Sequence, residues 1–375
     1  MAPERRSVYS RSPSGDPGNT QASPPAGTKP VKCVIWDIDD TLISGVYLES
    51  PDDPPPADPE LAAVLRELAG RGILHALASR NPPEAADYVR RATGAQFAAA
   101  ECGWGSKAAA IGRIAAGLGI GTDAIAFVDD DMLERAEVSA ALPEVLVLTP
   151  EDAAEAPQWP GFSPPVITAE ARRRGELYAA MQRRQAEAAA FGGSRDEFVR
   201  RVGTRIAIAP AAAGDLPRLH ELAVRTHQLN SAAQPLTLAE FGGLLKSAAH
   251  VVATAALADD FADDGTVGAA VLERNGPGQW LAPAVMVSCR ALGRGVLDAL
   301  LAWLCRTAAR GGASALAVPC LVTERNLPMR LALAAAGMRA EPGAVAADGR
   351  ALFRRDLGGD LPGLPEWVSA WEGPG

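Results

Sequence analysis

Short apolar runs alternate with amphipathic stretches through the first part of the chain. The runs typical of buried strands are VKCVIW, ILHALAS, AIAFVD and VLVLT. The intervening stretches with the apolar spacing of helices are residues 59–70, 83–93, 106–118 and 132–141. Strands that alternate with helices form a parallel sheet covered by helices. The pattern therefore predicts an α/β domain with a Rossmann-like parallel sheet over residues 31–157.

Changes in composition predict the boundaries of the other segments. The proline-punctuated stretch EAPQWPGFSPPV ends the first domain, and residues 168–191 predict a charged helix within a linker at 158–202. A second alternating region at 203–357 predicts another α/β domain. Residues 1–30 are rich in Pro, Ser and Gly, which is typical of disorder, and we expect the tail at 358–375 to be loose.

Composition and charge narrow the class of protein. A chain of 375 residues is long enough for about two domains. Its net charge of −9 argues against a general binder of nucleic acid or anionic membranes. The five cysteines lack metal-type spacing, which favours a reducing compartment, and no apolar run reaches the roughly 18 residues of a membrane span. We therefore expect a cytoplasmic protein with no nucleic-acid or membrane partner.

Polar side chains stand where the predicted strands of the first domain end. They are Asp37, Asp39, Ser79, Asp129 and Asp130. Ligands bind outside the carboxyl ends of parallel strands, and Lys107 begins a helix that could point to the same edge. Carboxylate oxygens hold Mg²⁺, while lysine and serine side chains bind the oxygens of a phosphoryl group. The sequence therefore predicts a magnesium and phosphoryl site at this edge.

A glycine-rich loop in the second region predicts a second anion site. An apolar strand leads into Arg290-x-x-Gly293-x-Gly295, and an amphipathic helix follows. The loop resembles the coenzyme A or phosphopantetheine loop of the GNAT acyltransferase fold. The aromatic pair that this fold carries before a later glycine is replaced by Ala332 and Leu333, which counts against ordinary N-acetyl transfer.

The order of the motifs carries a resemblance to known families. The motif D-x-D-x-T from Asp37 to Thr41, followed by Ser79, Lys107 and the Asp129–Asp130 pair, resembles the haloacid-dehalogenase superfamily of phosphotransferases. Such a domain followed by a GNAT-like domain resembles the FkbH-like proteins of polyketide biosynthesis. The matching stretches include KCVIWDIDDTL, FVDDDMLERAEV, DDFADDGTVG and SCRALGRGVLDALL.

This resemblance implies an activity, a cofactor and a partner. FkbH-like proteins take a glyceryl unit from 1,3-bisphosphoglycerate, remove phosphate, and deliver the unit to the phosphopantetheine thiol of an acyl carrier protein. The resemblance makes Asp37 the nucleophile and Asp39 the general acid and then base. It assigns Ser79 and Lys107 to the phosphoryl oxygens. It implies that Mg²⁺ is held by Asp37, the backbone carbonyl of Asp39, Asp129 and, in support, Asp130.

Transfer of an acyl group through the enzyme needs a nucleophile, and cysteine is the natural candidate. Cys289 stands at a strand end beside Arg290, where a permanent cation favours the thiolate. Cys102, near Lys107, is the alternative carrier, and a buried structural role for Cys289 stays open. His227 is a candidate base. The remaining thiols, which we expect in the core, are Cys33, Cys305 and Cys320.

Two other functions remain compatible with the sequence. One is a Mg²⁺-dependent phosphatase of small molecules whose second domain is structural or docks a carrier protein. The other is a binding protein that docks a carrier protein through residues 203–357 and has lost catalysis. Only about forty residues separate Asp37 from Ser79, including the irregular ESPDDPPPADPE. We therefore expect a minimal cap and an open phosphoryl site.

Overall fold

A five-stranded parallel sheet forms the centre of the first domain. A computed structural model of the chain describes residues 30–226, 228–323 and 326–370. The strands are β1 (Cys33–Trp36), β2 (Leu74–Ser79), β3 (Ala99–Cys102), β4 (Ile125–Val128) and β5 (Leu146–Leu148). They lie in the order β3-β2-β1-β4-β5, and every neighbouring pair is parallel. The sequence analysis had predicted four of these strands and had missed β3.

Helices cover both faces of this sheet. They are α1 (Pro59–Gly70), α2 (Pro83–Thr93), α3 (Lys107–Leu118), α4 (Met132–Ala141) and α5 (Pro150–Glu155). Successive residues of a strand point to opposite faces. Val34 and Trp36 accordingly pack with α1 and α2, whereas Cys33 and Ile35 pack with α3 and α4. Burial of β1 on both faces explains why its sequence is an unbroken apolar run.

The segment between the domains is helical and packs against the first domain. It contains α6 (Ala169–Arg172), α7 (Arg174–Ala190) and α8 (Arg195–Arg201). The prediction of one helix over 168–191 is wrong at Arg173, where the backbone leaves the helical region between α6 and α7. Tyr178 and Met181 of α7 join the core beside α3, so this linker is part of the packed structure.

An eight-stranded mixed sheet forms the second domain. Its strands are β6 (Arg205–Pro210), β7 (His250–Ala258), β8 (Asp263–Glu273), β9 (Gln279–Val287), β10 (Ala315–Cys320), β11 (Arg339–Val345), β12 (Ala351–Asp356) and β13 (Val368–Ala370). They lie in the order β11-β12-β10-β9-β8-β7-β6-β13. Its helices are α9 (Leu216–Arg225), α10 (Leu238–Lys246), α11 (Val296–Arg310) and α12 (Leu327–Ala335). The long α11 packs on one face of the sheet, and α9 and α10 pack on the other.

The fold class expected from the sequence is confirmed. The first domain is a Rossmann-like parallel sheet covered by helices, and the second is a separate α/β domain with a mixed sheet in which β9 and β10 run parallel. The expectation of a loose tail is wrong for Val368–Ala370, which pair in parallel with Ile206–Ile208. The disorder expected for residues 1–29 lies outside the described residues. Within the described residues, no helix is long and apolar enough to cross a membrane.

Candidate active sites in the two domains

Asp37, Asp129 and Lys107 meet at the carboxyl edge of the parallel sheet. Asp37 follows β1 and Asp129 follows β4, and these strands are neighbours. Lys107 is the first residue of α3, whose start is fixed by the side chain of Ser106, which accepts the backbone N–H of Ala109. Lys107 Nζ lies 2.5 Å from Asp37 Oδ1 and 3.0 Å from Asp129 Oδ2. All three charged side chains are buried, so the ammonium bridges two carboxylates away from bulk water.

A third carboxylate completes a cluster that fits a hard cation. Oxygens of Asp37, Asp129 and Asp130 lie within 4.8 Å of one another. Asp130 is held by Thr41, whose hydroxyl donates to Asp130 Oδ1 at 3.3 Å and accepts the Asp130 backbone N–H at 3.2 Å. Carboxylate oxygens are the donors that Mg²⁺ prefers. The donor set therefore suits a divalent cation of this kind.

Burial sets the charge balance of this site. It raises the pKa of Asp37 and of Asp129 above the ordinary value, against the opposing pull of the Lys107 ammonium. Burial also disfavours the charge on Lys107, but the two carboxylates outweigh it and raise the Lys107 pKa. The pKa of Asp130 is raised by burial and by the Asp37 charge. Three acids that repel one another at this edge are the arrangement that an added cation stabilises.

Asp39 is oriented by a residue that the sequence analysis did not single out. Its carboxylate accepts the backbone N–H of Tyr47 and the side-chain amide of Asn81, both at 2.9 Å. The same amide nitrogen lies 3.0 Å from Ser79 Oγ, so Asn81 links the candidate acid–base residue to the candidate phosphoryl ligand. Asn81 is fully buried two residues after β2 ends. The feature of the sequence that could have indicated this role is the position of Asn81 two residues after Ser79, in ASRN.

Asn81→Ala should lower kcat for phosphate release by about 10–100-fold, the usual cost of losing a side chain that orients a functional ligand. The reason is that Asp39 would lose the donor that fixes its second oxygen. Steady-state kinetics on a small phosphate ester measures the effect, and thermal unfolding checks the fold. A folded Asn81→Ala protein with wild-type kcat would show that Asn81 does not position Asp39.

The glycine-rich loop of the second domain borders a large cavity. Gly293 and Gly295 have φ of +76° and +81°, conformations that favour glycine, and α11 begins directly afterwards. The cavity has a volume of about 480 Å³, and its wall includes Cys289, Arg290 and Gly293. This volume lies in the usual range of ligand pockets, roughly 300–1,000 Å³. The structure therefore places Cys289, Arg290 and Gly293 around one space that can hold a ligand, whereas Gly295 does not line it.

Arg294 fixes this loop to the rest of the domain, although the sequence analysis had not singled it out. Its guanidinium pairs with Asp264 and lies 2.6 Å from Asp259 Oδ2. Asp259 also accepts two hydrogen bonds from Arg184 of α7, at 2.5 and 2.8 Å. The pKa of Asp259 is lowered because the hydrogen bond from Arg184 and the charges of both arginines outweigh the effect of burial. The stretch DDFADDG thus supplies the carboxylates that hold the loop.

Arg350 lies where the neighbouring strands β9 and β10 separate. Their pairing ends at Leu281 and Ala317, although both strands continue. Arg350 Nη1 donates to the carbonyl oxygens of Pro283 on β9 at 2.8 Å and Pro319 on β10 at 3.2 Å. One buried guanidinium therefore satisfies carbonyls on both diverging strands. Sequence reasoning had missed it, because Arg350 belongs to a turn with no chemical motif.

The helix α3 joins the two candidate sites. Lys107 stands at its N-terminus, and Gly119, just past its C-terminus, borders the large cavity next to Cys289. Twelve residues at the helical rise of 1.5 Å correspond to roughly 18 Å. The phosphoryl-site residues and the loop residues thus form two separate sites. The candidate base His227 lies outside the described residues.

Comparisons with known proteins find similarity to parts of the chain. No protein-family model and no curated protein matches it. A phosphatase-domain-containing N-terminal part of a Bacteroides fragilis protein, solved in complex with Mg, is 28% identical over 34% of this chain and 38% of its own, with a TM-score of 0.31. The GNAT domain of S. lividans PAT is 18% identical over 40% of this chain and 89% of its own, with a TM-score of 0.33.

A third solved structure is 3-deoxy-D-manno-octulosonate 8-phosphate phosphatase from Moraxella catarrhalis, in complex with magnesium ion, phosphate ion and KDO. It is 20% identical over 31% of this chain and 64% of its own, with a TM-score of 0.26. The chain therefore spans less than two thirds of the length of both phosphatase-type structures.

Proposed function

We propose that this chain is a Mg²⁺-dependent phosphotransferase fused to an acyltransferase, and that it loads a glyceryl unit onto an acyl carrier protein. The unit would come from 1,3-bisphosphoglycerate and end on the phosphopantetheine thiol of the carrier. The observation that carries the proposal is the buried contact of Lys107 with Asp37 and Asp129 beside the Asp130 carboxylate. It combines a nucleophile, a cation site and a phosphoryl-binding ammonium within one edge of the sheet.

The first domain would release phosphate through Asp37. Its carboxylate attacks phosphorus, while Lys107 and Ser79 hold the phosphoryl oxygens. Asp39 gives a proton to the leaving oxygen and then takes one from the water that hydrolyses the aspartyl-phosphate. Asp37, Asp129 and Asp130, with the backbone carbonyl of Asp39, would hold Mg²⁺, which supplies positive charge to the phosphoryl oxygens when bound.

The second domain would receive the pantetheine arm in the large cavity. Cys289 lies on the cavity wall and would carry the acyl group, while Arg290 and the loop at Gly293 and Gly295 would bind the arm. Because roughly 18 Å of helix separates the two sites, the substrate must move between acyl transfer and phosphate removal. A unit tethered to a flexible carrier arm meets this requirement, which favours a carrier-bound substrate over a small free one.

Intact-protein mass spectrometry of the carrier protein tests the proposed function. After incubation with 1,3-bisphosphoglycerate and Mg²⁺, we expect a glyceryl adduct on the carrier and released phosphate. Excess EDTA should stop the release of phosphate from a small phosphate ester, which depends on Asp37 and Mg²⁺. Phosphate release without any adduct would instead identify a phosphatase with a structural second domain. The absence of both, together with carrier binding, would identify a docking protein that has lost catalysis.

Gly293→Val should lower carrier loading by at least about 10-fold and leave hydrolysis of a small phosphate ester unchanged. A valine is strained at φ +76° and would place its side chain at the wall of the large cavity. Gly343→Val is the matched control, because Gly343 has a similar φ of +74° and equally open surroundings but does not line the cavity. Equal loss of ester hydrolysis and carrier loading in Gly293→Val would contradict the division into two sites.

A further inference from the structure

A second, smaller cavity adjoins the large one between the two domains and is lined by cations. Its volume is about 40 Å³. At 10–15 Å³ for each water position, this space corresponds to roughly three waters, about the room that the oxygens of one phosphoryl group need. It shares Gly119, Cys289 and Arg290 with the large cavity. The cationic side chains of its wall are Lys32, Arg174, Arg218, Arg225 and Arg290.

The neighbouring carboxylates among the described residues do not balance this positive charge. Glu221 is the acidic residue of the wall among the described residues, and it pairs with both Arg174 and Arg218. Lys32 Nζ donates to the carbonyl of Arg225 at 2.8 Å, and such a contact satisfies a donor without neutralising its charge. Arg290 has a loose ion pair with Asp264, at 3.6 Å, while the positive charges of Lys32 and Arg225 face the cavity beside a Glu221 that is already paired twice. Buried charges are normally paired, so this arrangement favours an anion.

The buried side chain of Arg290 also indicates that an anion binds at this cavity. Its side chain is 95% buried, yet Nη1 has no hydrogen-bond partner among the described residues. An Asp264 oxygen lies 3.6 Å away, beyond hydrogen-bond distance, and Asp264 is already paired with Arg294. A buried donor without an acceptor is costly. The Nε atoms of Arg174 and Arg225, two residues of the same wall, are also buried and have no hydrogen-bond partner within the part of the chain that the structure describes.

The arginines keep their charge at neutral pH. Burial and the neighbouring arginines lower the pKa of Arg225 to about 9 and that of Arg290 to about 10, which still leaves both protonated. Burial and the Arg225 charge lower the pKa of Lys32 to about 7. An anion bound between these buried groups stabilises their charged forms.

We propose that this small cavity is a second phosphoryl site, independent of metal, which binds the phosphate group of an acyl phosphate beside Cys289. Arginine suits this task, because its planar fork binds two phosphate oxygens at once. A phosphate held here places the attached acyl carbon toward Cys289, and the rest of the acyl group can extend into the large cavity through their shared wall. The inference rests on the proposed function and names how that function selects its donor.

Equilibrium dialysis of labelled inorganic phosphate against the full chain in excess EDTA tests the site. We expect binding that weakens at least 10-fold in Arg290→Gln and in Arg225→Gln and stays unchanged in Arg306→Gln, the control at an exposed arginine. Circular dichroism checks each fold. If a buried arginine variant fails to fold, Lys32→Met replaces it in the same binding measurement, with the same expected loss of phosphate binding. Wild-type affinity in folded Arg290→Gln and Arg225→Gln, or equal loss in the control, would overturn the site.

Competition identifies the source of the phosphate. Acetyl phosphate should displace the label from the wild-type protein more effectively than 3-phosphoglycerate does, because the site takes the acyl phosphate end of the donor. Stronger displacement by 3-phosphoglycerate would overturn that assignment. The outcome is separable from the proposed function: phosphate binding that depends on Arg290, in a protein that never loads a carrier, would refute the loading reaction and leave the anion site standing.

Discussion

Asp37→Asn should abolish phosphate release, by a factor on the order of 10⁴ or more, and leave the fold intact. An amide cannot attack phosphorus, and loss of a covalent nucleophile is among the largest single effects known in enzymes. The change is isosteric, so the backbone after β1 keeps its place. Lys107 retains Asp129 at 3.0 Å as a partner for its charge. Release of phosphate from a small phosphate ester, with thermal unfolding as the fold check, measures the effect.

Asp40→Asn is the matched control for this variant. Asp40 is an exposed carboxylate of the same motif, three residues beyond Asp37, and the loss of one negative charge is the same in both variants. Its φ of +46° lies in the left-handed region, which asparagine tolerates as well as aspartate does. We expect phosphate release within about twofold of the wild type. Unchanged phosphate release in Asp37→Asn would refute the phosphotransferase proposal, whatever Asp40→Asn does.

The sequence predicted which residues of the candidate phosphoryl site lie close together, because the information is local. Each of its residues ends a strand, lies within three residues after one, or begins a helix, and parallel strands bring those ends together. Asn81 escaped notice because its role depends on a contact with Asp39, forty-two positions earlier in the chain. The same holds for Arg350, whose acceptors Pro283 and Pro319 lie on two different strands.

The elements that the sequence analysis misjudged have weak local signals. Strand β3 reads AAEC, is only partly buried at the sheet edge, and lacks the apolar run of its neighbours. Strand β13 has three residues, and its pairing with β6 depends on a partner more than 150 positions away. The break at Arg173 interrupts a stretch whose composition favours helix throughout. Tertiary contacts determine the backbone structure at each of these three places, and the composition of the sequence does not reveal such contacts.

The cationic cavity could not be predicted from the sequence either, because it depends on tertiary contacts. Its charged groups come from the start of β1, from α7, from α9 and from the glycine-rich loop. Arg290 was singled out with the glycine-rich loop, but each of the other basic residues, taken alone, resembles an ordinary surface lysine or arginine. Only the packing of α7 and α9 beside Cys289 shows that five cations share one wall. That packing also bears on the choice of the acyl-carrying thiol.

The environments of the other cysteines favour Cys289 as the acyl carrier. Burial raises the pKa of Cys305 and of Cys320 to about 11, and it raises the pKa of Cys33 further. Burial also raises the pKa of Cys102, which reduces its thiolate fraction at neutral pH. Cys289 is partly exposed and borders both cavities.

Cys289→Ala should therefore eliminate the acyl-enzyme and lower carrier loading by at least about 100-fold, because no thiol would remain beside the two cavities. In the proposed reaction, the carrier thiolate would attack the thioester carbonyl and the Cys289 thiolate would leave, so one thioester would replace another at nearly equal free energy. Phosphate release from a small ester should persist in the variant, since Asp37 belongs to the other domain. Peptide mapping of the trapped acyl-enzyme locates the acylated cysteine directly.

Cys102→Ala is the matched control, because Cys102 is the cysteine that borders the cavity beside Ser79 and Lys107. It should keep both the acyl-enzyme and carrier loading near wild-type levels. An acyl label on Cys102, or normal carrier loading by Cys289→Ala, would show that the acyl group is carried by the first domain and not by Cys289. The large cavity would then serve only to dock the pantetheine arm. The anion site would keep its arginines but lose its nucleophile, so phosphate binding at Arg290 would no longer be expected to affect the rate of acylation.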